Sequence, residues 1–309
     1  SGERGVHRFD IDLLGEDGRL FERLRGVALI ETGPVAPSRP PTMVPFDRSP
    51  ESVEVRLDLL ASDADGIAAG YLGPAESSLY RQIGSRKRRV DWLGGRLAAK
   101  RLAASYLLEV VGVRVAEADI GVVADTHGAP DVRIAGRPDL ERLLPAVAIS
   151  HGAGRAVAVL APRNSGTRVG VDVEAIEPRS PAFSRHVLTE REARLAEASP
   201  LNGGTLTLLW TVKEAVSKAL GVGMTIDPRD IDVRDLRDGV AVVDLRGDAE
   251  TRRAAIGGTD LAVRYEVEGA RSTAWAVLGV DPSSAASQHP PAPPAPPGLF
   301  RPGRLAGND

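Results

Sequence analysis

Asp172 and Glu174 lie two residues apart in the run Gly-Val-Asp-Val-Glu, residues 170 to 174. Side chains at i and i+2 share one face of a strand, so the two acids point one way and Val171 and Val173 the other. Like charges side by side repel and raise each other's pKa unless a cation sits between them. On a solvated edge strand that repulsion is screened, and most such pairs are no more than that. Trp210-Thr-Val-Lys-Glu-Ala-Val-Ser-Lys-Ala-Leu-Gly221 adds a second set. As a helix it buries Leu209, Val212, Val216 and Leu220, while Trp210, Glu214 and Lys218 recur at i, i+4 and i+8 on another face. By itself, Glu214 with Lys218 is an ordinary surface ion pair. The combination is more specific: Asp172, Glu174 and Glu214 offer three hard oxygen ligands, which suit Mg2+ bound together with a substrate phosphate. Lys218 adds a mobile cation to such a site.

A phosphoanhydride also needs fixed positive charge. Arg86-Lys87-Arg88-Arg89, followed by Arg96, supplies it, although the run also reads as a solvated turn or a nonspecific nucleic-acid patch. Ser150-His151-Gly152 follows an apolar strand and sets a hydroxyl and an imidazole at a strand end, where ligand contacts are common. Alone, His151 is more often a structural hydrogen-bonding residue.

The elements that must hold these groups alternate in type. The pattern predicts a strand over Val53 to Leu60, a short polar helix over Ala75 to Gly84 and a long amphipathic helix over Asp91 to Val111. Strands are expected at Ile120 to Val123, Ala146 to Ser150, Ala156 to Ala161 and Val169 to Glu174. Helices are expected next at 189 to 198 and 204 to 220, with strands at Ile231 to Val233, Val240 to Leu245, Ala262 to Val267 and Ser272 to Gly279. Thr189 and Glu192 form the signature of a capping box at the first of those helix starts. Each half thus has a long helix and several strands, an α+β class with two pseudo-symmetric lobes, each a small mostly antiparallel sheet packed on a long helix. The lobes are expected at 51–164 and 165–280. Residues 1–33 read as a β-hairpin, 34–50 as a proline-rich linker and 281–309 as a disordered Pro/Ala-rich tail.

Composition removes several classes of function. Lys plus Arg number 39 against 42 Asp plus Glu, a net charge of -3, which argues against a surface built for nucleic acid. With no cysteine, disulfides, thiolate metal sites and a cysteine nucleophile are excluded. No apolar run reaches the roughly 18 residues of a membrane helix, and the first residues, SGERGVHRFDIDLLGEDG, have no apolar core of the kind a secretory signal carries. A cytoplasmic protein with no membrane or nucleic-acid partner is the expectation.

Ser150-His151, Gly170-Val-Asp-Val-Glu174 and Trp210-x-x-Lys-Glu-Ala-x-x-Lys218, in this order, resemble the signature of Sfp-type phosphopantetheinyl transferases. Arg88-Arg-x-x-Trp-x-x-Gly-Arg96-x-Ala-Ala-Lys100 resembles the upstream element of bacterial members, and the match covers roughly residues 53 to 279. The resemblance implies transfer of the 4'-phosphopantetheine arm of coenzyme A to a serine of an acyl or peptidyl carrier protein. It further implies Mg2+ held by Asp172, Glu174 and Glu214, with Glu214 and Lys218 in catalysis. Ser150, His151, Arg81, Arg88, Arg89, Arg96, Lys213 and Lys218 would bind coenzyme A. One departure is Gly128-Ala129-Pro130, where many members read Gly-Lys-Pro, which removes a cation that often meets phosphate. The segment FDIDLLGEDGRLFERLRGVAL resembles the last strands of hot-dog dehydratase domains of polyketide synthases; an accessory hairpin on the main domain is the other reading. Together these point to an integrated C-terminal domain of a polyketide synthase of the enediyne type, acting on a carrier domain of its own or a neighbouring chain. The contrasting expectation is a catalytically silent docking module for carrier protein.

Overall fold

The structure is a computed structural model. It describes residues 6–14, 20–30, 46–49, 52–125, 128–161, 167–198 and 204–280, the first three segments as backbone alone. The chain divides into two units, Ser1–Pro41 and Thr42–Asp309. In the first, strands β1 (Val6–Leu14) and β2 (Leu20–Ile30) pair antiparallel with Val6 opposite Ile30, and register shifts fall at Phe9/Ile11 and Leu13/Leu14. This is the hairpin that the alternation around Gly15 to Gly18 predicts. Of the expected linker, residues 46–49 instead form a strand, and the rest lies outside the described residues, as does the expected tail at 281–309.

The second unit contains two lobes built on one plan. The first runs β3 (Phe46–Ser49), β4 (Ser52–Arg56), α1 (Leu57–Leu60), α2 (Ala64–Tyr71), α3 (Pro74–Gln82), α4 (Arg86–Tyr106), β5 (Ile120–Ala124), β6 (Pro130–Ile134), α5 (Pro138–Glu141), β7 (Val147–Gly152) and β8 (Arg155–Leu160). The second runs β9 (Thr167–Ala175), α6 (Pro181–Val187), α7 (Glu190–Ala198), α8 (Gly204–Leu220), β10 (Ile231–Arg237), β11 (Val240–Leu245), α9 (Gly247–Ala255), β12 (Gly258–Glu268) and β13 (Arg271–Val280). Every strand pair among the described residues is antiparallel, with sheet orders β3-β4-β8-β7 and β10-β11-β12-β13-β9. The core triplets β4-β8-β7 and β9-β13-β12 share one order: first strand, last strand, penultimate strand. The hairpins β5-β6 and β10-β11 also correspond, except that only the second joins its lobe's sheet, through β11 and β12.

Alternation places the layers. In the first lobe Val53, Val55, Ala156 and Ala158 pack under Leu93, Leu97 and Ala98 of α4. In the second, Ala274, Ala276 and Leu278 pack under Val212, Ala215, Val216 and Ala219 of α8. The opposite strand faces, with Ala148, Val157, Val159, Val169, Val171 and Val173, form a third core between the two sheets. The order through this second unit is therefore helix, sheet, sheet, helix, and β7 runs against β9 where the lobes meet.

Two glycines set how close these layers come. A Cβ at Gly170 of β9 would overlap the Ala215 carbonyl and crowd the Ala219 amide of α8; one at Gly152 of β7 would overlap the Val173 carbonyl of β9. Only glycine lets backbone approach backbone so closely. Both contacts flank the acids at 172 and 174.

Several boundaries differ from expectation for local reasons. Val53 to Leu60 is strand only to Arg56, because Leu57 and Leu60 turn helical to bury one face at i and i+3. The long helix starts at Arg86, capped by the Ser85 hydroxyl accepting from the Arg88 amide, and passes at Leu107–Val111 into one π turn. Gly112, left-handed at φ 77°, stops it.

Candidate active site

Asp172 is buried in the middle of β9, and its Oδ1 accepts from the Lys218 ammonium at 2.7 Å and the Ser150 hydroxyl at 2.8 Å. Lys218 also donates to Ser150 Oγ at 3.1 Å and to the Val171 carbonyl at 3.0 Å. The bland reading, an ion pair of Glu214 with Lys218 along one helix, gives way to a cross-element pair, Lys218 with Asp172. Lys218 spans from α8 to β9 because Gly170 lets the two backbones touch. Asp172 Oδ2, also buried, has no hydrogen-bond partner.

Glu214, one turn earlier on α8, stands within electrostatic reach of both acids on β9. Burial, then the charge of Asp172, and finally that of Glu174 push its carboxyl up to about 7, against the opposing pull of Lys218. Glu174 is turned to Arg179, whose Nη2 donates to its Oε2 at 2.9 Å. Arg179 in turn lies over the Phe183 ring, which meets Trp210 edge to face at 5.2 Å. Among the described residues no three acidic or imidazole side chains are gathered as a ready metal centre. The reason is visible in the bonds: Lys218 and Ser150 hold one oxygen of Asp172, and Arg179 holds one of Glu174. The donor chemistry nevertheless fits a hard divalent cation at Asp172 Oδ2 and Glu214, an unshared buried oxygen beside a carboxyl that burial and two neighbouring acids push toward its neutral form.

An open cleft of about 830 Å³ lies in the first lobe, between the start of α4 and the β5-β6 hairpin, and is lined by Arg88, Trp92, Arg96, Val122, Val123 and His151 among others. The acids do not line it. Its border is His151, the residue after Ser150, so adjacent positions of β7 serve the cleft and the carboxylates. Arg96 lies flat over the Trp92 ring, 3.6 Å from its centroid, and burial lowers its pKa to about 10. Its Nε is buried without a partner. Gly128 and Pro130 also line the cleft, where the Gly-Ala-Pro run leaves no lysine.

The other basic residues named from sequence go elsewhere. Arg81 is exposed in the last turn of α3 and does not line the cleft. Arg89 donates to the Ile83 carbonyl at 3.3 Å and lies over Tyr80, lining a separate pocket with Asp63 and Asp65. Lys213 is not free to bind a ligand: it is fully buried, with its ammonium held by Glu192 at 2.8 Å and by the carbonyls of Pro228 and Ile231 at 2.9 and 2.7 Å. Burial lowers its pKa and Glu192 resists the shift. Helical geometry carried the signal, because Lys213 sits about 100° round from Glu214, on the face of Leu209, Val216 and Leu220. Arg179 is a site neighbour that residue spacing does not single out.

The segment that carries Asp172, Glu174, Glu214 and Lys218 has known counterparts. Residues 168–266 match the model of the 4'-phosphopantetheinyl transferase superfamily. Over 72 residues the chain is 42% identical to the holo-[acyl-carrier-protein] synthase of Jannaschia sp. (strain CCS1), covering 23% of this chain and 48% of that protein. It is 40% identical over 72 residues to the synthase of the same description from Dinoroseobacter shibae, covering 23% of this chain and 52% of that protein. The chain therefore spans about half the length of the curated relatives it matches. Among solved structures it is similar to a Chronobacterium ammoniagenes ACPS-CoA complex, with TM-score 0.32 and 23% identity, over 37% of this chain and 98% of that one. It is also similar to the Helicobacter pylori holo-[acyl-carrier-protein] synthase in complex with coenzyme A, with TM-score 0.31 and 18% identity, over 36% and 99%.

Proposed function

We propose that this chain transfers the 4'-phosphopantetheine arm of coenzyme A to a carrier-protein serine. The observation that carries the reading is the Ser150–Asp172–Lys218 cluster beside a half-buried Glu214, within the segment that matches the transferase superfamily. The serine oxygen forms a bond to the phosphorus that bears pantetheine, and the bond from that phosphorus to the bridging anhydride oxygen breaks. Adenosine 3',5'-bisphosphate leaves. Glu214, the carboxyl beside this cluster, takes the serine proton. Lys218 stands where it can meet phosphate charge once Asp172 shares its bond, and it can return a proton to the departing oxygen. His151, Arg88 and Arg96 hold the nucleotide phosphates along the cleft. Asp172 and Glu214 would hold Mg2+, with Glu174 joining when Arg179 yields it; the ion neutralises pyrophosphate charge when bound.

The acceptor we favour is a carrier domain of a polyketide synthase, supported by the likeness of residues 9–29 to the end of a dehydratase domain. A carrier tethered to the same polypeptide would raise its effective concentration without a tight interface. The test is incubation with coenzyme A, Mg2+ and an apo carrier domain, read by mass spectrometry. Transfer appears as a pantetheine adduct on the carrier serine. No adduct, where a free-standing transferase succeeds in parallel, overturns the proposal.

A further inference from the structure

The two lobes share a buried device as well as a fold. In the second lobe, Glu192 at the third position of α7 closes the capping box: the Thr189 amide donates to its Oε2 at 2.8 Å, and the Glu192 amide donates to the Thr189 hydroxyl at 3.3 Å. The same carboxylate accepts from the Val233 amide of β10 at 2.7 Å and pairs with Lys213 of α8. In the first lobe, Glu76 of α3 accepts from the Gly73 amide at 3.4 Å and the Val122 amide of β5 at 3.0 Å, and pairs with Lys100 of α4 at 2.6 Å. Lys100 also donates to the Tyr71 carbonyl at 2.7 Å. All four charged side chains are almost wholly enclosed. Each pair joins the same three elements: short helix, long helix and the first strand after it.

The residues next along each long helix are not alike. Arg101 comes after Lys100, whereas Glu214 comes after Lys213; five residues beyond the lysines stand Ser105 and Lys218. We infer that Glu192–Lys213 is a positioning pair for catalysis, fixing the register of α8 so that Glu214 and Lys218 meet Asp172, and that Glu76–Lys100 is its non-catalytic duplicate. Lys213 donates to three acceptors on two segments and so allows α8 neither to slide nor to roll. On the opposite side the contact of Gly170 with Ala215 leaves no slack. Glu214 lies between the two restraints. The duplicate pair holds Val122 and through it the wall of the cleft, so its loss acts on coenzyme A binding and not on the acids.

The inference rests on the transferase reading, and the duplicate supplies its internal control. Thermal stability, KM for coenzyme A and single-turnover rate at saturating coenzyme A are compared for wild type, Glu192→Gln, Glu76→Gln and the paired Glu192→Leu/Lys213→Met. Failure of wild type to transfer refutes the transferase reading itself. With wild type active, Glu192→Gln is expected to lower the single-turnover rate by about tenfold or more, since small misplacements of reacting groups are that costly. Its KM should change little. Glu76→Gln is expected to lose similar stability, raise KM and keep the rate within about twofold, as an effect on uniform binding does. The paired variant removes both charges, so stability returns while the rate stays low. Should Glu192→Gln not fold, Glu192→Asp retracts the carboxylate and keeps its charge. Equal rates in folded Glu192 and Glu76 variants, or a paired variant that regains the rate with its stability, overturns the inference. A Lys213→Met variant that raises only KM would also overturn it, by making Lys213 a ligand contact.

Discussion

Replacing Gly170 by Ala tests the close approach on which the site depends. The added Cβ would overlap the carbonyl of Ala215 and crowd the amide of Ala219, both backbone atoms of α8. A side chain could rotate aside, but a helix must move as a body, and α8 is held on its other face by Lys213. Overpacking of a tight core costs about 1–3 kcal/mol, and a backbone obstacle puts this change near the upper end, roughly 3 kcal/mol. That is a large share of the about 5–15 kcal/mol that stabilises a typical protein. Moving α8 outward by about 1 Å also draws Lys218 and Glu214 away from Asp172, for which about a hundredfold loss of transfer is expected. Urea unfolding measures the first effect, and transfer at saturating coenzyme A under native conditions measures the second. Gly70→Ala is the matched control: this glycine lies inside α2 and a Cβ there meets nothing within 4 Å. It should stabilise by about 0.5–1 kcal/mol. A Gly170→Ala protein as stable and as active as wild type would refute the argument that backbone contact between β9 and α8 builds the site.

Other outcomes depend on single side chains. Glu214 has a folded-state pKa of about 7 against 4.5 as its ordinary value, so the native state binds the extra proton between them. Stability should therefore fall as pH rises from 4.5 to about 7, and denaturation of Glu214→Gln over that range should show less of the fall. The same variant should keep its circular dichroism spectrum while losing transfer. Arg96→Ala should raise KM for coenzyme A by about tenfold, the worth of one charge-assisted hydrogen bond, whereas Arg89→Ala, turned to Tyr80 and Ile83, should leave KM within about twofold. Chelation of divalent metal should abolish transfer, and Mg2+ with coenzyme A should raise Tm in wild type more than in Glu214→Gln.

Dense apolar patterns are the legible ones. The helix over 204 to 220 has the bounds that its apolar spacing predicts, and the Thr189–Glu192 box forms as its residues imply. The acids at 172 and 174 share a face, opposite valines that fill the core between the lobes. Short elements with few buried residues, such as α6 and α9, escape a reading of the sequence, because little marks them: Val187 alone is buried in α6 and Ala249 alone in α9. Charge is the least legible property. A sequence shows a basic residue's sign but not which neighbour satisfies it: the motif matches Lys213 to a ligand, whereas Glu192 holds it, and Lys218 takes Asp172 as its partner. Arg81 and Arg89 illustrate the same limit, since they lie on two successive helices, α3 and α4, and face different surroundings.

The β5-β6 hairpin stands apart from its lobe's four-stranded sheet, unlike its counterpart in the second lobe. The Val122 amide on the edge of β5 donates to the carboxylate of Glu76, as the Val233 amide on the edge of β10 donates to Glu192, but only β5 lacks a larger sheet behind its hairpin partner. Amide hydrogen exchange in β5 and β6 should then report the integrity of that carboxylate rather than global unfolding. The wall of the cleft is then expected to exchange more readily than β9, the strand that carries Asp172 and Glu174, which belongs to a five-stranded sheet.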